Sequence, residues 1–182
     1  MSALEFINQT VVSSTNTSAL NIGTTSDKLF TSKYDVYFIT TDFSGSTTNP
    51  ESVQTRLIDS SGNVITDTEY DRATHRMFSN SSFDKQNNEG ANSIIGLWGE
   101  YDQAPENALA SGYVINPADS GSFTYFISKT IGKEAGNLVA KETLAVHRGA
   151  EEIIGIQFLI QNTDFFNNCT ITVYGVKTWV VV

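Results

Sequence analysis

The segment from Glu152 to Val182 constrains the fold of this chain more than any other, because it carries two long runs of alternating polarity on either side of a short polar stretch. In the first run Ile154, Ile156, Phe158 and Ile160 fall on one side and Gly155, Gln157, Leu159 and Gln161 on the other, the period of two that belongs to a β-strand. In the second, Cys169, Ile171 and Val173 oppose Thr170, Thr172 and Tyr174, and Asn162 to Asn168 supplies loop residues that let the chain reverse. The sequence then ends on Trp179-Val180-Val181-Val182. Leaving such side chains wet forfeits roughly 1.5–3 kcal/mol each, so residues 178–182 are expected to form a docking extension with Trp179, Val180, Val181 and Val182 as candidate interface residues.

The same alternation recurs upstream. Leu4 to Val12 reads as a strand, and Tyr34 to Thr40 as another, with Tyr34, Val36 and Phe38 on one face. Val53 to Asp59 and Val64 to Tyr70 bracket Ser60-Ser61-Gly62-Asn63, which predicts a hairpin. Further strands are expected at Ala73 to Phe78, Ser93 to Trp98, Gly112 to Asn116 and Ser122 to Ser128. Over Leu138 to His147 a helix capped by Asn137 and ended by Gly149 competes, but Leu138, Ala140, Leu144 and Val146 share one side of an alternating pattern, which favours strand. Residues 13–32 are low in core-forming side chains and read as a loop or partner-ordered segment. Asp42 to Ser52, Ser79 to Asn92 and Gly99 to Ser111 read as loops, and Pro117 to Gly121 as a tight turn. About ten short antiparallel strands with regular turn signals and no firm helix predict an all-β fold, a two-sheet β-sandwich or jelly roll. With 182 residues the chain suits one domain, 1–182.

Composition narrows the partners. The polar positions are dominated by Ser, Thr, Asn and Gly, the residues of strand surfaces and turns. Twenty acidic residues stand against 11 Lys and Arg, a formal net charge of −9, and the basic residues are scattered singly. Nucleic acid and anionic membrane surfaces are therefore not expected as partners, since both draw affinity from grouped cations. No apolar run approaches the ~20 residues of a membrane span, so no membrane insertion is expected. Met1 to Phe6 lacks the basic and apolar segments of a secretory signal, and the Asn-X-Ser/Thr sequons at Asn8, Asn16, Asn80 and Asn168 are accordingly read as chance. The lone Cys169 excludes an intramolecular disulfide and suits a small buried apolar position.

Chemistry-bearing motifs are sparse. His75 and His147 lie in no recognisable nucleophile or metal context and read as structural or exposed histidines. There is no Gly-x-Ser-x-Gly elbow, Walker-type loop or Gly-x-Gly-x-x-Gly run. Asp67, Glu69, Asp71, Glu100, Asp102 and Glu106 offer carboxylates for a glycosidase pair or a calcium cage, but a sequence does not show which approach in space, and they read first as solvated acids. Asp59 to Asn63 lacks the spacing of an EF-hand loop and reads as a turn. No catalytic residue, cofactor or metal is expected. Trp98, Tyr101, Tyr113 and Trp179 suit a core or an oligomer interface, and secondarily a sugar-stacking platform, for which Trp98 and Tyr101 are the candidate glycan contacts.

Several segments together resemble a group of tailed-bacteriophage virion structural proteins, notably those of marine and cyanobacterial phages. They are Ser32-Lys33-Tyr34-Asp35-Val36-Tyr37-Phe38-Ile39, Thr55-Arg56-Leu57-Ile58, Thr68-Glu69-Tyr70-Asp71 and Ser111-Gly112-Tyr113-Val114-Ile115-Asn116-Pro117. Strongest are Ile156-Gln157-Phe158 and, after an Asn-containing turn, Thr170-Ile171-Thr172-Val173-Tyr174-Gly175-Val176. The resemblance runs in order over most of Ser32 to Lys177, and departs beyond the Tyr-Gly-Val signal. It implies a β-sandwich or jelly roll, no catalysis, no cofactor and a trimeric place in the virion. There the chain would be a capsid decoration or cement protein, or a tail- or fibre-associated one, made in the host cytoplasm. The expectation is thus a non-enzymatic virion component acting through self-association and docking on other virion proteins. A glycan-binding receptor-recognition module of a phage tail, contacting a host surface glycan, is the alternative, and a carboxylate-based glycan hydrolase comes third.

Overall fold

In a computed structural model of the chain, residues 3–45, 51–101, 107–134, 136–160 and 166–177 are described. They form twelve strands: β1 Leu4–Thr17, β2 Ala19–Ile22, β3 Val36–Gly45, β4 Glu51–Asp59, β5 Tyr70–Phe78 and β6 Phe83–Ala91. The second half contributes β7 Ile94–Tyr101, β8 Asn107–Ile115, β9 Thr124–Glu134, β10 Asn137–His147, β11 Ile153–Ile160 and β12 Phe166–Val176. Two antiparallel sheets pack as a sandwich, one of eight strands in the order β1-β12-β3-β8-β9-β10-β5-β6 and one of four in the order β2-β11-β4-β7. The all-β sandwich expectation holds, and so does strand over helix at β10.

The small sheet is assembled entirely from strands that are not consecutive in the chain. Each of its strands is an excursion from the large sheet, which explains why the hairpin expected around Ser60 to Asn63 does not form. After the turn, Val64 makes a single bridge to Ile58 and the chain crosses to the large sheet as β5. The turn itself is well made, with Asp59 Oδ1 accepting from the amides of Ser61 and Asn63 at 2.8 Å. At the crossover Tyr70 is buried, accepting from the Leu57 amide at 2.9 Å and donating to the Ile65 carbonyl at 3.3 Å.

Two further expectations are corrected. Residues 13–32 are not a core-poor loop: they contain the end of β1 and all of β2, and Leu29 and Phe30 belong to the buried core. Their placement comes from hydrogen bonds of both amides to the Ile154 carbonyl, at 2.9 and 3.1 Å. Ser79 to Asn92 is not a surface loop but mostly β6, an outermost strand with water on both faces, so its composition reads as loop although its backbone is paired with β5.

The core lies between the sheets. Tyr37, Ile39 and Phe43 of β3, and Val114 and Phe126 beyond them, meet Val53, Leu57, Trp98, Ile156 and Phe158 of the small sheet. Phe43 and Phe158 are 5.8 Å apart between ring centroids, and Trp98 and Phe158 6.2 Å. Cys169 is buried and unpaired as a thiol, with burial pushing it up to about 11, so it serves as a small apolar side chain. Strand β7 runs close over β8 and β9. The inward positions beneath it are small, namely Ala108, Ala110 and Gly112 on β8 and Ser128, Thr130 and Gly132 on β9, which makes room for Trp98.

Candidate functional site

The large sheet exposes large apolar side chains on its outer face over β8, β9 and β10, and over β9 and β10 it also buries several polar ones. Strand alternation sends one set of side chains into the sandwich and the other outward. On β10 the inward set is Val139, Lys141, Thr143, Ala145 and His147, all buried, while Leu138 and Leu144 point outward, Leu144 with 56% of its surface exposed. On β9 Thr124, Ser128 and Thr130 are buried, while Tyr125, Ile127 and Ile131 are exposed, Ile131 at 54%. The side shared by Leu138, Ala140, Leu144 and Val146 is therefore the outer one.

These outward side chains line up across the sheet in rows set by register. Phe6, Tyr174, Phe38, Tyr113, Ile127, Leu144 and Ala73 stand successively opposite one another from β1 through to β5. The four aromatic rings at its start are spaced 6.1, 6.3 and 5.2 Å between centroids. A second apolar row joins Leu109, Ile131, Ala140, Met77 and Phe83. Between them runs a polar row of Thr172, Thr40, Ser111, Lys129, Glu142, His75 and Lys85. Lys129 Nζ lies 3.9 Å from Glu142 Oε1 near the middle of the sheet. A shallow depression of about 710 Å³ opens over β10, β5 and β6, bordered by His75, Lys85, Glu142 and Leu144.

Beneath the β10 and β5 part of this face, a buried charge network adjoins the apolar core. Lys141 Nζ contacts the Glu100 carboxylate and lies 3.3 Å from Glu134 Oε2. Arg76 Nη1 donates to both Glu134 oxygens at 2.7 Å, and its other nitrogen pairs with Asp84. Burial first, then the guanidiniums of Arg76 and Arg72, pushes the Lys141 ammonium down to about 7, against the pull of the Asp84 carboxylate.

The structure separates the sequence candidates. Trp98 is fully buried between the sheets, so it offers no ring face to a glycan; its size and apolar surface are spent on the core. Tyr101 closes β7, opposite Glu51. Trp179, Val180, Val181 and Val182, like Asp102 and Glu106, lie outside the described residues. Of the carboxylates read as solvated, Glu100 is buried on Lys141, and Asp71 Oδ2 meets Arg148 Nε at 3.2 Å. His75 is exposed and stacks on Phe83, with centroids 6.0 Å apart. His147 departs from its reading as a satisfied or exposed histidine: it is buried, and neither ring nitrogen has a hydrogen-bond partner among the described residues. The outer-face rows escaped sequence reading because apolar periodicity shows that two faces differ, not which one turns inward.

No protein-family model, no curated protein and no solved structure matches this chain.

Proposed function

We propose that this protein is a non-enzymatic structural subunit that works by self-association, with the outer face of the large sheet as the contact surface and a second copy of the chain as its occupant. The observation that carries this reading is the set of large apolar side chains exposed on the outer face of β8 to β10, Leu109, Tyr113, Ile127, Ile131 and Leu144 among them, while Lys141 and several hydroxyl side chains of β9 and β10 are buried. A face carrying apolar rows of this kind marks an interaction surface. With strands ~4.8 Å apart and a rise of ~3.3 Å per residue, the six strands from β3 across to β6 present roughly 29 by 20 Å between the levels of Tyr125 and Ile131, about 580 Å² per partner and at the lower end of stable interfaces.

Charge placement favours a copy of the same chain. A two-fold axis running along the strands between β9 and β10 lays β9 over β10, β8 over β5 and β3 over β6 of the other copy. Lys129, which stands opposite Glu142, then faces the Glu142 of the second copy, and apolar row meets apolar row. The setting we propose is a phage particle, as a decoration, tail or fibre-associated component; the sequence resemblance supports it, and the absence of a grouped basic surface agrees with a role away from nucleic acid. The resemblance implies a trimer, whereas the face geometry favours pairing.

Light scattering coupled to size exclusion tests this, on the full chain and on variants carrying Ile131→Lys or Leu144→Lys. Concentration-dependent dimer or larger assembly by the parent chain, and monomer with unchanged circular dichroism for the variants, is the expected result. A parent chain that stays monomeric at every concentration would overturn the reading. So would binding of a host polysaccharide by such a monomer, lost on Tyr113→Ala, which would make the exposed aromatic row a glycan platform.

A further inference from the structure

We propose that Glu69, His147 and Glu151 form a binding site for a divalent transition-metal cation of the zinc class at the end of the large sheet. Their ligand-type atoms all lie within 4.8 Å of one another. His147 Nε2 is 3.5 Å from Glu69 Oε2 and 3.7 Å from Glu151 Oε1. A tetrahedral ion with bonds of ~2.0–2.1 Å sets its ligands ~3.3 Å apart, so small side-chain adjustments close the set around one ion.

Two features point to a missing ligand. The His147 side chain has no exposed surface, yet neither nitrogen has a hydrogen-bond partner among the described residues, and Nε2 is directed at the two carboxylates. An unsatisfied buried imidazole is costly, and a metal bond is one way of satisfying it. Second, there is a cradle: a Cβ added to Gly149 would sit 2.8 Å from both Glu69 Oε2 and Glu151 Oε1 and 2.6 Å from His147 Cε1, so any residue larger than glycine would fill the space between the donors.

The backbone holds the ligands in place. His147 stands opposite Tyr70 in the β10–β5 ladder, which brings Glu69 alongside, and the Arg148 amide donates to the Glu69 carbonyl at 3.0 Å. Glu151 follows on the crossover to β11, so an ion here would clamp the large sheet to the segment that enters the small one. One imidazole and two carboxylates leave a fourth position for water and suit zinc or manganese better than a calcium ion, which takes six to eight oxygens.

The test is titration of chelator-treated full chain with Zn²⁺, Co²⁺, Mn²⁺, Ca²⁺ and Mg²⁺ by calorimetry and thermal melting, with Co²⁺ absorption reporting coordination. Glu69→Gln and Glu151→Gln are the informative variants, because these side chains are 44% and 38% exposed and the fold does not rest on them. One-to-one binding of Zn²⁺ or Co²⁺ with a raised melting temperature, weakened at least about ten-fold by either variant, is expected. No uptake by the parent chain, uptake unchanged in both variants, or preference for Ca²⁺ or Mg²⁺ over Zn²⁺ would each overturn the assignment.

Discussion

Lys141 of β10 and Glu100 of β7 meet across the gap between the two sheets, with only 1% and 9% of their side chains exposed. Two desolvated charges in contact stabilise little net, but leaving one alone is expensive. Lys141→Met should therefore cost about 3–5 kcal/mol in urea unfolding by stranding Glu100, and the Lys141→Met/Glu100→Leu double variant should recover most of it. If both single changes prove mild and strictly additive, the pair does not tie the sheets.

Tyr70 fills the place of the missing hairpin, and its hydroxyl accepts from the Leu57 amide at 2.9 Å. Tyr70→Phe keeps the ring and removes that acceptor. A loss of about 1–3 kcal/mol is expected from equilibrium unfolding, with the β4 amides exchanging faster.

Gly132 on β9 lies directly against the Glu100 backbone, and a Cβ there would run into the Glu100 carbonyl oxygen. Both clashing groups are main chain, so no rotamer relieves the contact. Gly132→Ala should destabilise by roughly 1–3 kcal/mol or more in thermal melts, whereas Gly136→Ala, which meets nothing within 4 Å, should lose less despite its φ of +76°.

Glu5 on β1 is held down to about 2 by hydrogen bonding with Lys33 first, and then with Tyr34 and Lys177. A carboxyl lowered in the folded state stabilises fully above its ordinary value of 4.5 and loses that contribution as pH falls towards 2. The side chain is partly exposed at the surface, where solvent screens it, so the effect is small and local. Acid titration followed by hydrogen exchange should show β1 loosening across that window in the parent chain and a flatter profile in Glu5→Gln.

Strands rich in β-branched and aromatic residues at period two were legible in the sequence, as Ile171 to Val173 illustrates, whereas β2 and the polar β6 read as loop. Sheet membership was not. Val64 to Tyr70 carries the alternation of a hairpin arm, yet only Ile58–Val64 pairs, because burying Tyr70 under Leu57 outweighs extending the turn. Nor was facing legible: Thr143 and Leu144 differ in polarity in the opposite sense to their burial, since the space under β7 admits only certain volumes and Lys141 brings its counter-charge from another sheet. Glu69 and His147 are far apart in sequence and meet only through the β5–β10 register. No local motif announces such a triad.

The outermost strand β6 carries Asp84, Lys85 and Glu89 and a register break opposite the Tyr70–Arg72 segment. Charges and a bulge on a terminal strand discourage another chain from adding to it. That side of the sandwich is thereby closed to open-ended, strand-by-strand growth, so β6 ends the sheet instead of serving as a template for the next one.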